Sequence, residues 1–97
     1  MSYKVGDKVR IKDFNWYNAN KDEDGDVPDK DLGVLFLREN DWCLGKEFII
    51  SNVYECIGHY IGKHVYELCG IEGYDFTDYM IDCLVERQNK EITNKES

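Results

Sequence analysis

Near the amino terminus the apolar positions fall on every second residue: Val9 and Ile11 alternate with Lys8, Arg10 and Lys12. That two-residue period sends one set of side chains to a buried face and the other to water, so the stretch predicts a half-buried strand. Gly6-Asp7 before it is turn chemistry. Residues 47–54 are rich in β-branched and aromatic side chains and contain no breaker, which predicts a strand crossing the middle of a sheet. Residues 64–68 predict a third strand closed by Gly70 and Gly73, residues 74–76 a short fourth and residues 81–84 a fifth. Residues 77–80 predict one helical turn capped by Thr77. Residues 34–42 do not alternate cleanly and predict a short helix stopped by Gly45.

Between the first two strands lies a polar segment, residues 18–33, holding the only proline and most of the first of two acidic blocks. It reads as a long loop, and a loop of that length in a small domain has a function or is tied down by a ligand. From residue 86 onward Ile92 is the only large apolar side chain, so residues 1–85 form the predicted domain and residues 86–97 a polar, disordered tail. Five short strands, a long first loop and one or two short helical turns describe a mostly-β, small, partly open barrel. Val5-Gly6-Asp7-Lys8-Val9-Arg10-Ile11 resembles the opening strand of SH3-like barrels found in small bacterial and phage proteins. The resemblance continues through Gly45-Lys46 and the turn Phe76-Thr77-Asp78-Tyr79-Met80, covering residues 3–85, and implies a five-stranded SH3-like barrel. The Ala-Leu-Tyr-Asp-Tyr phrase of the signalling version is missing, so polyproline binding is not implied, and a fold does not dictate an activity.

Charge narrows the partners. Twelve basic against twenty acidic residues give a net charge of -8, a field that disfavours nucleic acid and anionic lipid and favours a basic or nucleic-acid-binding protein partner. No stretch approaches the roughly 20 apolar residues of a membrane span, and the start has no signal-type apolar run, so a cytoplasmic protein is expected. In that compartment Cys43, Cys56, Cys69 and Cys83, spaced by 13, 13 and 14 residues with no CxxC pair, are expected to be reduced structural thiols. His59 and His64 are the only histidines and no GxSxG, HExxH or phosphate loop occurs, so no enzyme is expected.

Three constellations could carry function. Residues 20–31 resemble the calcium loop of EF-hands, with Asn20, Asp22, Asp24 and Asp26 on positions one, three, five and seven, Gly25 on the sharp turn and Asp31 on position twelve. Asn20 and Asp31 depart from the usual Asp and bidentate Glu, which points to weak calcium binding; no other cofactor is expected. Lys8, Arg10 and Lys12 share one strand face, but pairing with the second acidic block, Glu67, Glu72, Asp75, Asp78 and Asp82, across neighbouring strands is the simpler expectation. Finally, the aromatic residues exceed what one small core can hold. The expected function is a protein-interaction module whose aromatic patch, Trp16, Tyr17, Tyr74 and Phe76, is rimmed by Asp75 and Asp78. The alternative use of the acid is a nucleic-acid mimic, a phage-type, anti-CRISPR-like inhibitor of a nucleic-acid-handling enzyme.

Overall fold

Alternation along the first strand sorts its side chains as expected: Val9 and Ile11 are fully buried, while Lys8 and Arg10 stay half-exposed. The computed structural model describes residues 3–58 and 62–87; residues 88–97 of the tail expected over 86–97, like residues 59–61, His59 among them, lie outside the described residues. The elements run β1 (Lys8–Ile11), α1 (Phe14–Asn20), β2 (Val27–Asp29), β3 (Val34–Phe36), a 3-10 helix (Arg38–Cys43), β4 (Glu47–Glu55), β5 (His64–Leu68), β6 (Phe76–Thr77), a 3-10 turn (Asp78–Met80) and β7 (Ile81–Glu86).

The protein is mostly β. Five strands pair in the order β6-β5-β4-β1-β7, every ladder antiparallel, and β2-β3 form a separate two-stranded sheet. β4 holds the centre, as its breaker-free β-branched and aromatic stretch predicts. Register shifts interrupt β1–β7 between Lys8/Val9 and Arg10/Ile11 and β4–β5 between Ile50 and Asn52. An extra residue on one strand bends it and increases its twist, which curls the larger sheet into a partly open barrel. β7 runs to Glu86, one residue past the expected domain boundary.

Residues 18–33, expected as a loop, instead hold the end of α1 and all of β2. Asp13 caps α1, its Oδ1 accepting the Trp16 N–H at 3.1 Å, and the helix buries Tyr17. The Tyr17 hydroxyl then donates to the Gly25 carbonyl at 2.6 Å, fixing the turn that follows. Gly25 has φ +86, and a Cβ there would lie 2.8 Å from Arg38 Cδ, so the site suits only glycine. β2 and β3 form a hairpin closed by the Asp29 carbonyl, which accepts from Leu32 N and Gly33 N. Pro28 fits β2 because that strand pairs on one side only. The helix expected over 34–42 is divided: residues 34–36 pair as β3, and the helical part starts at Arg38 as a 3-10 helix. Gly45 N–H donates to both Ile11 O and Lys12 O, at 3.2 and 3.0 Å, and pins the excursion at its base.

Both sheets and α1 contribute to one core, in which the Phe36 ring meets Phe76 and Tyr17 edge-on at 6.1 Å each. Thr77 starts the 3-10 turn but does not cap it; its Oγ1 donates to Asp29 Oδ2 at 2.7 Å, because both groups are buried and the carboxylate needs a donor. All four cysteines are free thiols, Cys43 buried and Cys69 exposed. Burial pushes the Cys43 thiol up to about 12. Among the described residues no helix is long and apolar enough to cross a membrane.

Candidate functional site: a groove beside Tyr79

The aromatic patch expected from the sequence does not form. Tyr17 and Phe76 are 5% and 1% exposed, which commits them to the core and removes them from any partner surface. Trp16 is half-buried with its ring edge-on to Phe36 at 5.8 Å and to Tyr79 at 5.5 Å. Tyr74 is half-buried too, its hydroxyl bonded to the Glu39 carboxylate; that contact pushes the Tyr74 phenol up. Asp75 is exposed, and Asp78 is half-buried and accepts from the Tyr66 hydroxyl at 3.0 Å. Burial, with Asp78 adding to it, pushes the Tyr66 phenol up, so it remains a donor.

Nor do the residues of the calcium-like loop converge. Asn20 ends α1, its side chain donating to Trp16 O at 2.8 Å and accepting from the Tyr79 hydroxyl at 3.1 Å. Asp22 Oδ1 accepts from Asp24 N and Asp26 N, at 2.9 and 3.0 Å, and Asp26 Oδ1 accepts from Arg38 N at 2.8 Å. The Asp26 carbonyl, the backbone ligand of the calcium pattern, accepts from Asp22 N at 2.7 Å. β2 is extended and carries Asp31 away from the turn, to Lys63. Among the described residues no group of three or more His, Cys, Asp or Glu side chains is placed to hold a metal ion. On the basic strand face Arg10 pairs with Glu47 at 2.9 Å and Lys8 with Glu86 at 3.9 Å, neither in the acidic block expected, and the Lys12 ammonium lies 5.8 Å from the Tyr79 ring centroid.

What the fold does assemble is a groove. Asn20, Pro28, Asp29, Lys30, Asp31 and Tyr79 line a cavity of about 310 Å³. A neighbouring one of about 130 Å³ is lined by Asp29, Asp31, Leu32, Lys63, Asp78 and Tyr79, so the two share Asp29, Asp31 and Tyr79. The walls come from the end of α1, the β2–β3 hairpin, the residue just before β5 and the 3-10 turn. Tyr79 is 39% exposed yet held in place by Asn20, by the Trp16 edge and by the Lys12 ammonium 5.8 Å from its ring centroid. Asp29 is 8% exposed, with Oδ2 on Thr77 and Oδ1 accepting from Asp31 N at 3.1 Å, so the groove has a fixed carboxylate in its floor. A held aromatic ring beside several carboxylates suits recognition of a cationic or polar group on another molecule.

A second hollow, about 420 Å³, opens between Glu23, Asp24, Asp26, Leu37, Arg38 and Glu39 on the same excursion. Sequence reasoning named Asn20, Asp31 and Asp78 for other reasons and placed Tyr79 in the turn after β6. Pro28, Leu32 and Lys63 gave no signal, since only the folded excursion brings them to Tyr79. Comparison with protein-family models, with curated proteins and with solved structures finds no match to this chain.

Proposed function

We propose that the protein is a cytoplasmic, non-catalytic interaction module of the SH3-like barrel type, binding a protein partner in the groove beside Tyr79. The observation that carries this reading is the juxtaposition of the half-exposed, fixed Tyr79 ring with Asp29, Asp31 and Asp78. A ring already held by its neighbours loses little freedom on binding, which is why tyrosine serves well as an interface anchor. The net charge of -8 adds steering toward a basic partner.

A second reading, the nucleic-acid mimic, draws support from the hollow where Glu23, Asp24, Asp26 and Glu39 surround a single guanidinium, Arg38. Affinity capture with the full chain separates the two. For the module, Tyr79→Ala and Asp31→Asn lose the captured partner while Asp24→Asn with Glu39→Gln keeps it, and capture weakens only moderately with salt. For the mimic the variants exchange behaviour and binding falls steeply with salt. Capture of the same partner by all variants alike eliminates both readings.

A further inference from the structure

Lys63 is the one cation in the groove engaged with a groove carboxylate among the described residues, its Nζ 3.8 Å from Asp31 Oδ2. It reaches the site from the residue just before β5, whereas Asp31 lies beyond β2 on the hairpin. The contact is long, and the two side chains are 52% and 76% exposed, so water competes for both ends and the pair is readily exchanged. The carboxylates around it are not saturated by their own contacts. An ionised carboxylate offers about four acceptor positions. Asp29 uses one for Thr77 Oγ1 and one for Asp31 N, and Asp78 uses one for the Tyr66 hydroxyl. Three carboxylates with remaining acceptor capacity, a half-exposed ring and one loosely held ammonium therefore line a single small cavity.

Resting on the reading of the groove as a partner site, we infer that its occupant is a cationic side chain of the partner, arginine or lysine, and that Lys63 is the protein's own stand-in for it. The incoming cation takes the place of the Lys63 ammonium at Asp31 and stays near Asp29 and Asp78, beside a Tyr79 ring that already has the Lys12 ammonium 5.8 Å from its centroid. Lys63 then sets the threshold for binding. Removing it strengthens the partner, and removing Asp31 weakens the partner and makes Lys63 irrelevant.

The test is a titration of the full chain, labelled with nitrogen-15, with Nα-acetyl-L-arginine methylamide as probe and the neutral citrulline analogue as control. Amide shifts of Asp31, Leu32, Asp78 and Tyr79 are expected with the arginine probe and not with citrulline. Lys63→Gln is expected to tighten the arginine probe by about three-fold, the worth of an exposed ion pair. Lys30→Gln removes the same charge from the groove wall without touching the Asp31 pair, so it should tighten the probe less. In an Asp31→Asn background, Lys63→Gln should no longer act. Equal shifts with citrulline, shifts spread over the whole surface, or a Lys63→Gln gain no larger than that of Lys30→Gln would overturn the inference. A silent probe with capture still dependent on Tyr79 overturns this inference alone. Silence in both experiments takes the partner-site reading with it.

Discussion

The five-stranded sheet and the excursion between β1 and β4 are held together by different means. In the sheet, β1 and β5 follow the alternation of their side chains and β4 its breaker-free β-branched and aromatic stretch, and antiparallel ladders spread the stabilisation over many residues. The excursion has a seven-residue helix, two three-residue strands and a short 3-10 helix, each too short to persist alone. Single contacts fix it instead: the Asp13 cap, the Tyr17–Gly25 bond, the Asp26 bond to Arg38 N, the Asp29–Thr77 bond and Gly45 at its base. A ladder shares its backbone bonds among many pairs, whereas each short element of the excursion depends on the few bonds that hold it. The groove lies where the two regions meet, so its geometry depends on those points.

The strongest way to break the junction is Phe36→Ala. Phe36 is 1% exposed on β3 and its ring is 6.1 Å from Phe76 on β6, joining the small sheet to the large one. Truncating a buried phenylalanine costs about 3–5 kcal/mol. In urea unfolding this loss should approach the whole stability of so small a domain. A loss below about 1 kcal/mol, a surface-type value, would mean that the excursion does not rest on that ring.

Next in size is Thr77→Val, which keeps the shape and removes the hydroxyl. The Asp29 carboxylate, buried at 8% exposure, then loses its Oδ2 donor at a cost of about 1–3 kcal/mol. Thr77→Ser should retain the bond and most of the stability. Hydrogen exchange ought to quicken at β2 and β3 in Thr77→Val and stay unchanged in β4. Uniform quickening across both regions would show that they open as one unit and dissolve the contrast.

How far the sequence could be read follows the same division. The β5 bounds coincide with the expected 64–68, and β4 exceeds the expected 47–54 only by Glu55, because a breaker-free stretch of β-branched and aromatic residues bounded by glycines is a strong strand signal. In α1 only Tyr17 is buried, so no helical stripe marked it, and Pro28 with its charged neighbours hid β2. The candidate site was less legible. Aromatic content gives how much ring must be placed but not where each ring points, which is why Tyr17 and Phe76 were assigned to a surface they do not occupy. Asn20, Asp31, Lys63 and Tyr79 have no common local pattern; the hairpin, β5 and the 3-10 turn bring them together.

A smaller effect sharpens the comparison on the excursion side. Asp13→Ala removes the side chain that accepts the Trp16 N–H, and loss of an N-cap costs about 1 kcal/mol. Thermal unfolding should report a lower midpoint, restored by Asp13→Asn or Asp13→Ser. Because α1 carries Trp16 and Asn20 to Tyr79, the amide shifts of the 3-10 turn should move with it. A lowered midpoint with those shifts in place would separate helix stability from groove geometry.

The smallest effect belongs to the sheet surface. Lys8 and Glu86 approach to 3.9 Å across β1 and β7, with side chains 37% and 74% exposed, and Lys8 and Glu86 are also opposite in the β1–β7 register. An exposed pair of this kind contributes about 0–1 kcal/mol, and less as salt rises. Lys8→Gln should therefore shift the urea midpoint barely or not at all, and the ladder should persist because Val9 and Ile11 carry its buried side. If this substitution instead destabilised the protein as much as Asp13→Ala, the sheet too would hang on individual contacts. The difference between a periodically specified sheet and a point-pinned excursion would then lose its physical basis.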